Sequence, residues 1–136
     1  MPQEQCYRGI FLDEEWEYEQ YVRELSEKVS KNASDFVSFN NRGVARFEMG
    51  KPEAALEDLM VACRLAPHEH VPLLNVADVL VYKKDLRGAL NAATDAVRIA
   101  PKESSCYAVR AGIYAKLGDK VRAAQDKKAA KKYESA

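Results

Sequence analysis

The chain has 136 residues with 21 basic and 21 acidic side chains, so its formal net charge is zero. Its length suits one domain, and 31% charged with 47% hydrophobic residues excludes a disordered or fibrous chain. No apolar run is long enough to cross a membrane, and the first residues lack the apolar stretch of a secretory signal. We therefore expect a protein that has no membrane partner.

The cysteines indicate the compartment. Cys6, Cys63 and Cys106 are odd in number, widely spaced and form no Cys-x-x-Cys pair. This usage favours free thiols in a reducing environment, so we expect a cytoplasmic protein. Cys63 and Cys106 fall inside helical patterns and are expected to be small buried side chains.

The charge is unevenly distributed along the chain. Residues 1–31 carry −4, residues 32–101 carry −1 and residues 102–136 carry +5. Two copies could attract each other head to tail, but physiological salt screens such attraction beyond about 8 Å. Self-association, if it occurs, is expected to be weak.

The N-terminal region, residues 1–34, is acidic and rich in aromatic residues. Tyr18, Val22, Leu25 and Val29 lie at helical spacing and predict an amphipathic helix. The favoured interpretation is that this helix caps the elements that follow. The alternative is that part of the region lies in a groove of this chain or of a second copy.

A period of 34 residues governs the rest of the chain. The positions that recur at this spacing are Pro67 and Pro101; Ala55, Ala89 and Ala123; and Ala62, Ala96 and Ala130. Such a period predicts an array of small units rather than one globule. We place the units at 35–66, 69–100 and 103–134, each with two helices around a turn, at 49–52, 84–85 and 117–119.

These units resemble the tetratricopeptide repeat family. The matches are Phe39, Gly43, Ala55, Leu59, Ala62 and Pro67 in the first unit, Leu73, Ala77, Ala89, Ala96 and Pro101 in the second, and Tyr107, Ala111, Tyr114, Ala123 and Ala130 in the third. The resemblance implies an all-α fold, an α-solenoid of three helix pairs with an N-terminal capping helix. It also implies a stand-alone protein that binds other proteins.

The last predicted helix, residues 120–134, is rich in lysine. Lys127 stands where the family normally has a large residue that packs against a following repeat, which suggests that nothing follows. Nucleic-acid binding would favour aromatic residues between the basic ones, whereas here alanines stand between them. We interpret the helix as a solvated face and expect no nucleic-acid partner.

In arrays that this sequence resembles, the first helix of each pair lines a concave groove. Carried over residue by residue, the predicted partner-binding positions are Asn40, Asn41, Val44, Phe47, Leu74, Asn75, Asp78, Val81, Tyr82, Val109 and Lys116. Asparagine amides can pair with the backbone of a bound peptide, and apolar residues accept its side chains. The groove centre is predicted at Leu74, Asn75, Asp78 and Tyr82, where a peptide or helix of a partner would bind. Some of these positions could instead pack against the N-terminal helix.

One known ligand of such grooves is not expected. Cochaperones with this type of fold bind the C-terminal carboxylate of heat-shock chaperones through lysine, asparagine and arginine side chains. The corresponding residues here are Asn40, Val44, Asn75, Ser105 and Val109, and only Asn75 matches. Without the cations the carboxylate would lose its charge-assisted hydrogen bonds.

Candidate catalytic chemistry is sparse. His68-Glu69-His70 contains both histidines of the chain, but a metal site needs three or four converging ligands. No phosphate-binding loop, nucleophile elbow or zinc-binding helix motif occurs. We therefore predict no enzyme activity, no catalytic residue, no metal and no cofactor.

The prediction for function is a protein-interaction adaptor without enzyme activity. The alternative is a protein dedicated to one client, such as a bacterial secretion chaperone or an immunity protein that neutralises a toxin. The sequence leaves the partner's identity open.

Overall fold

The computed structural model describes residues 5–134, which form seven helices and no strand. The helices are α1 (Glu15–Lys31), α2 (Phe36–Glu48), α3 (Pro52–Leu65), α4 (His70–Tyr82), α5 (Leu86–Ile99), α6 (Ser104–Lys116) and α7 (Lys120–Lys132). Residues 1–4 of the predicted cap and residues 135–136 of the predicted repeat region lie outside this range. Within it, no helix has the length and apolar character needed to span a membrane. The predicted all-α fold is confirmed.

The chain divides into two compact units, an N-terminal unit that ends at Pro67 and a C-terminal unit that begins at His68. In the N-terminal unit α2 pairs with α3, and α1 packs against α2. In the C-terminal unit α4 pairs with α5 and α6 with α7, while α6 also contacts α4 and α5. The core of the C-terminal unit contains Leu74, Ala96 and Cys106, all fully buried.

The turn inside each helix pair has the same hydrogen bonds. After α2, Gly50 N–H donates to the Phe47 carbonyl at 3.0 Å, and Lys51 N–H donates to the Arg46 carbonyl at 2.9 Å. This Schellman pattern recurs after α4 and α6, and in each case the first donor has a left-handed backbone. Its φ angle is 78° at Gly50, 65° at Lys84 and 81° at Gly118. The 34-residue period therefore preserves one turn geometry although a lysine replaces glycine in the second.

Four of the seven described helices, α2, α3, α5 and α7, begin at an aspartate cap or at a proline. Asp35, Asp85 and Asp119 each accept a hydrogen bond from the backbone N–H three residues later, at 3.0 to 3.1 Å. Each carboxylate satisfies one of the free N–H groups of the first turn. Pro52 begins α3, where its missing N–H costs nothing.

Small residues allow the paired helices to approach closely. Ala55, Ala89 and Ala123, which share one position in the second helix of each repeat, are all buried. Gly43, Ala77 and Ala111, which share one position in the first helix, are buried as well. A Cβ built on Gly43 would lie 2.8 Å from Leu59 Cγ and 3.0 Å from the Ala55 carbonyl oxygen. The contact between α2 and α3 therefore requires glycine.

The expectation for the cysteines needs one correction. Cys106 is fully buried, but Cys63 is only partly buried. Burial is nevertheless sufficient to raise the pKa of the Cys63 thiol to about 11, although the neighbouring Arg64 opposes the shift.

Candidate functional site

Two predicted groove residues, Asn40 and Asn41, bind the backbone of residues 5–12, which we call the N-terminal segment. Asn41 accepts from Tyr7 N–H through Oδ1 at 2.9 Å and donates through Nδ2 to the Gln5 carbonyl at 2.9 Å. Asn40 Nδ2 donates to the Tyr7 carbonyl and to Asn41 Oδ1, both at 3.0 Å. Both asparagines are fully buried. In this structure the pair therefore holds a non-helical segment of its own chain.

The same segment is held a second time by α1. The Tyr18 hydroxyl donates to the Ile10 carbonyl at 3.0 Å and accepts from Leu12 N–H at 2.9 Å. Leu25 is 1% exposed and the other residues of the predicted apolar stripe are half-buried. In the N-terminal unit α1 thus packs against α2, and residues 5–12 are fixed by side chains of both helices. Whether this arrangement acts as a cap of the repeats stays a prediction.

The two other predicted groove positions of the N-terminal unit, Val44 and Phe47, are covered to different degrees. Val44 is 4% exposed and Phe47 is half-buried. Both lie on α2, the helix that binds the N-terminal segment. Their contribution to partner binding stays a prediction.

A buried ion pair joins α2 to α3, and the sequence reasoning missed it. Arg42 donates to both carboxylate oxygens of Asp58 at 2.9 and 2.7 Å, and Arg46 donates to the same carboxylate at 2.8 Å. Arg42 also reaches the Ser26 hydroxyl on α1 at 3.1 Å. Its guanidinium lies 5.5 Å from the centre of the Phe39 ring. This network ties the three helices of the N-terminal unit together.

An equivalent pair joins α6 to α7. Arg110 donates to Asp126 at 2.7 and 2.9 Å and lies 5.8 Å from the ring centres of Tyr107 and Tyr114. The hydrogen bond to Asp126 raises the pKa of the Arg110 guanidinium above its ordinary value. In the second repeat the corresponding positions hold Val76 and an alanine.

The recurrence of Arg110 and Asp126 two periods after Arg42 and Asp58 was visible in the sequence. A bidentate pair that is mostly buried needs both residues at a fixed separation, and this separation is 16 residues in both pairs. That shared spacing is the signal that could have identified it.

The predicted groove centre in the C-terminal unit contains both core and surface residues. Leu74 is 0% exposed and belongs to the core, Asn75 is 3% exposed, and Val109 packs against the same core cluster. Asp78 and Val81 are half-buried, whereas Tyr82 is 64% exposed and Lys116 is exposed. Substituting Leu74 would therefore disturb packing, and Tyr82 is the better residue with which to test the predicted surface.

A cavity of about 410 Å³ opens between α6 and α7. We call it the C-terminal cavity; its lining is Ala108, Ala111, Gly112, Lys127, Ala130, Lys131 and Glu134. Ala108 and Gly112 are exposed residues of α6, and the exposed Lys127 and Lys131 come from α7. The floor thus offers small apolar groups, and the rim carries two ammonium groups and one carboxylate. Such a site fits an apolar side chain that is flanked by an acidic one.

Within the part of the chain that the structure describes, the histidines do not belong to a larger cluster of possible metal ligands. His68 is exposed, and His70 is the half-buried first residue of α4. Among residues 5–134, no group of three or more histidine, cysteine or acidic side chains could hold a metal ion.

The helix pairs repeat with Schellman turns and small residues at their contacts, as in a helical-repeat fold of the tetratricopeptide type. The predicted solenoid fold is confirmed by solved structures, although no protein-family model and no curated protein matches the chain. MamA from Desulfovibrio magneticus RS-1 is 16% identical with a TM-score of 0.78, covering 88% of this chain and 67% of that one. Another MamA crystal structure is 13% identical with a TM-score of 0.79, covering 92% and 77%.

A third similar structure is the second tetratricopeptide domain of Spaghetti (RPAP3), bound to the HSP90 peptide SRMEEVD. It is 22% identical with a TM-score of 0.70, and the match covers 79% of this chain and 99% of that one. At these identities the likeness shows the fold.

Proposed function

We propose that this protein is an interaction module without enzyme activity that binds a segment of a partner protein in the C-terminal unit. The observation that carries the proposal is the C-terminal cavity, which combines exposed small residues with lysines. Ala108 and Gly112 leave room for an incoming side chain, and Lys127 and Lys131 supply positive charge beside it. Tyr82 adds an aromatic ring that is 64% exposed on α4 of the same unit.

The chemistry of this cavity favours an acidic partner segment with apolar side chains. Opposite charge at the rim would increase the rate of association and set the orientation of the segment. The structure of RPAP3 with an HSP90 peptide provides a precedent, because that peptide, SRMEEVD, is acidic. The binding mode proposed here differs, since Ser105 and Val109 stand where a carboxylate clamp would need cations.

Affinity capture from the native cell extract, followed by mass spectrometry, tests the proposal. We expect Ala108→Trp, which fills the cavity from an exposed position, to abolish recovery of the specific partner. Lys131→Glu should reduce recovery by roughly ten-fold because it places like charge against an acidic segment. Lys128→Glu is the matched control, since Lys128 is exposed on α7 but does not line the cavity.

Equal recovery with Lys131→Glu and Lys128→Glu would contradict the assignment of the cavity. Tyr82→Ser tests the predicted surface on α4 separately. Recovery of one partner in stoichiometric amount would favour the dedicated-client alternative, and recovery of several would favour an adaptor.

A further inference from the structure

A cleft of about 510 Å³ lies between the N-terminal segment and α1, entirely within the N-terminal unit. We call it the aromatic cleft. Its apolar walls are formed by Tyr7, Ile10, Phe11, Leu12, Trp16 and Tyr21. This site shares no residue with the C-terminal cavity.

Two of the aromatic side chains are unusually open to solvent. Phe11 is 87% exposed and Trp16 is 59% exposed, so the fold leaves much of both rings uncovered. The backbone that carries Phe11 is nevertheless fixed, because the Tyr18 hydroxyl bonds the Ile10 carbonyl and Leu12 N–H on either side of it. A ring presented from a fixed backbone loses less entropy on binding than a ring in a mobile loop.

The charge around the cleft is negative. Glu17 and Glu24 line it, and no lysine or arginine is among its described lining residues. Glu24 is exposed and accepts a 3.4 Å hydrogen bond from Gln20, which lines the same cleft. Residues 1–31 as a whole carry a net charge of −4. Exposed aromatic rings next to carboxylates attract an apolar segment that carries positive charge.

We propose that the aromatic cleft binds a basic, apolar segment of a partner protein. Apolar side chains of that segment pack on Phe11 and Trp16, and its lysine or arginine pairs with Glu24. The preference is opposite to that of the C-terminal cavity, so the chain can bind an acidic segment at one unit and a basic segment at the other. Either site can fail its test without affecting the other.

Trp16 is the only tryptophan of the chain, so its fluorescence reports directly on this cleft. The probes are the peptides acetyl-LKLRLK-amide, acetyl-LELELE-amide and acetyl-GKGRGK-amide, titrated into the full chain. We expect the first to shift Trp16 emission to shorter wavelength with a dissociation constant on the order of 100 µM. The second peptide lacks the positive charge and the third lacks the leucines, and each should bind roughly ten-fold or more weakly than the first.

Two substitutions test the residues. Phe11→Ala should reduce the affinity for the first peptide roughly ten-fold, and circular dichroism checks that the helices remain. Glu24→Gln should weaken it about two- to five-fold, and most of that difference should disappear at high salt. Glu19→Gln, an exposed carboxylate of α1 that does not line the cleft, should leave binding unchanged.

Three results would overturn the proposal. One is the absence of any Trp16 response at about 1 mM peptide. Another is equal affinity for the basic and the acidic peptide. The third is a Trp16 shift that depends on protein concentration without peptide and coincides with dimers in sedimentation, because the occupant would then be a second copy of the chain.

Discussion

The guanidinium of Arg110 donates to both carboxylate oxygens of Asp126, at 2.7 and 2.9 Å. Only 18% of the Arg110 side chain and 7% of the Asp126 side chain are exposed, so the pair is largely removed from water. Charges in such surroundings are costly unless they are paired, and the loss of one partner leaves the other uncompensated. Substitution of either residue alone should therefore destabilise the contact between α6 and α7.

We expect Asp126→Ala to destabilise the C-terminal unit by about 2 to 3 kcal/mol, because Arg110 is left without its buried partner. Denaturant unfolding followed by circular dichroism measures this loss. Asp95→Ala is the matched control: it removes an exposed pair with Arg98 and should change the free energy of unfolding by less than ~1 kcal/mol.

The second repeat suggests a compensating change, since Val76 and Ala92 occupy the slots that correspond to Arg110 and Asp126. The double variant Arg110→Val with Asp126→Ala should cost no more than Asp126→Ala alone, because it removes both buried charges together. A double variant that loses the sum of both single losses would show that the two residues do not stabilise each other.

Gly43 and Gly112 predict opposite effects of the same substitution. Gly43→Ala should destabilise the N-terminal unit by roughly 1 to 3 kcal/mol, since the new Cβ would meet Leu59 Cγ at 2.8 Å. Gly112→Ala should stabilise α6 by about 0.5 to 1 kcal/mol, because a Cβ built on Gly112 meets no neighbouring atom within 4 Å and alanine favours the helix. Thermal unfolding of both variants checks the signs, and a stabilised Gly43→Ala would contradict the described contact of α2 with α3.

Lys84 has a left-handed backbone, with φ of 65°, at the position that glycine occupies in the other two repeats. A side chain strains this conformation, so Lys84→Gly should stabilise the turn by about 0.5 to 1 kcal/mol. The adjacent Lys83, with φ of −78°, is the control, and Lys83→Gly should not stabilise. Equal effects of the two substitutions on the unfolding midpoint would argue against strain at Lys84.

Asn41→Ala should release the N-terminal segment. The change removes the acceptor for Tyr7 N–H and the donor to the Gln5 carbonyl, each held at 2.9 Å. Loss of these partners should cost about 1 to 3 kcal/mol and increase amide hydrogen exchange across residues 5–12. Asn91→Ala, at an exposed position of α5, is the control. Unchanged protection of Tyr7 would contradict the role assigned to Asn41.

The sequence of this chain encodes its local structure more plainly than the contacts between residues that lie far apart. The period of 34 residues predicted the helix pairs and turns because helical spacing, proline and glycine act within a few residues of where they stand. The position of residues 5–12 depends on hydrogen bonds such as Tyr7 to Asn41, which span 34 residues. A segment without periodicity carries no signal for such contacts.

The predicted site shows the same division. Of the groove positions transferred from the resemblance, Tyr82 is exposed, whereas Leu74 is covered by the core with Ala96 and Cys106. Burial of one face depends on how α5 and α6 pack around α4, which a pattern along one helix does not encode. The C-terminal cavity, with lysines from α7, likewise arises only when α6 and α7 are paired.

Cys63 provides a prediction about pH. Burial raises the pKa of its thiol from an ordinary 9.0 to about 11, so the thiol remains protonated in the folded chain at pH 8. Since the thiolate is the reactive form, alkylation by iodoacetamide at pH 8 should be roughly 100-fold slower than for the same cysteine in urea. Peptide mass spectrometry measures both rates, and equal rates would contradict the shift.

The same shift predicts the pH dependence of stability. Between pH 9 and pH 11 the unfolded chain loses the Cys63 proton while the folded chain keeps it, so the folded state binds more protons there. The contribution of the Cys63 thiol to the free energy of unfolding should therefore be fully present below pH 9 and be lost as the pH rises toward 11. Cys63→Ala removes this titration and should flatten that part of the profile. A profile that is identical in both proteins would mean that the thiol has the same pKa in the folded and the unfolded chain.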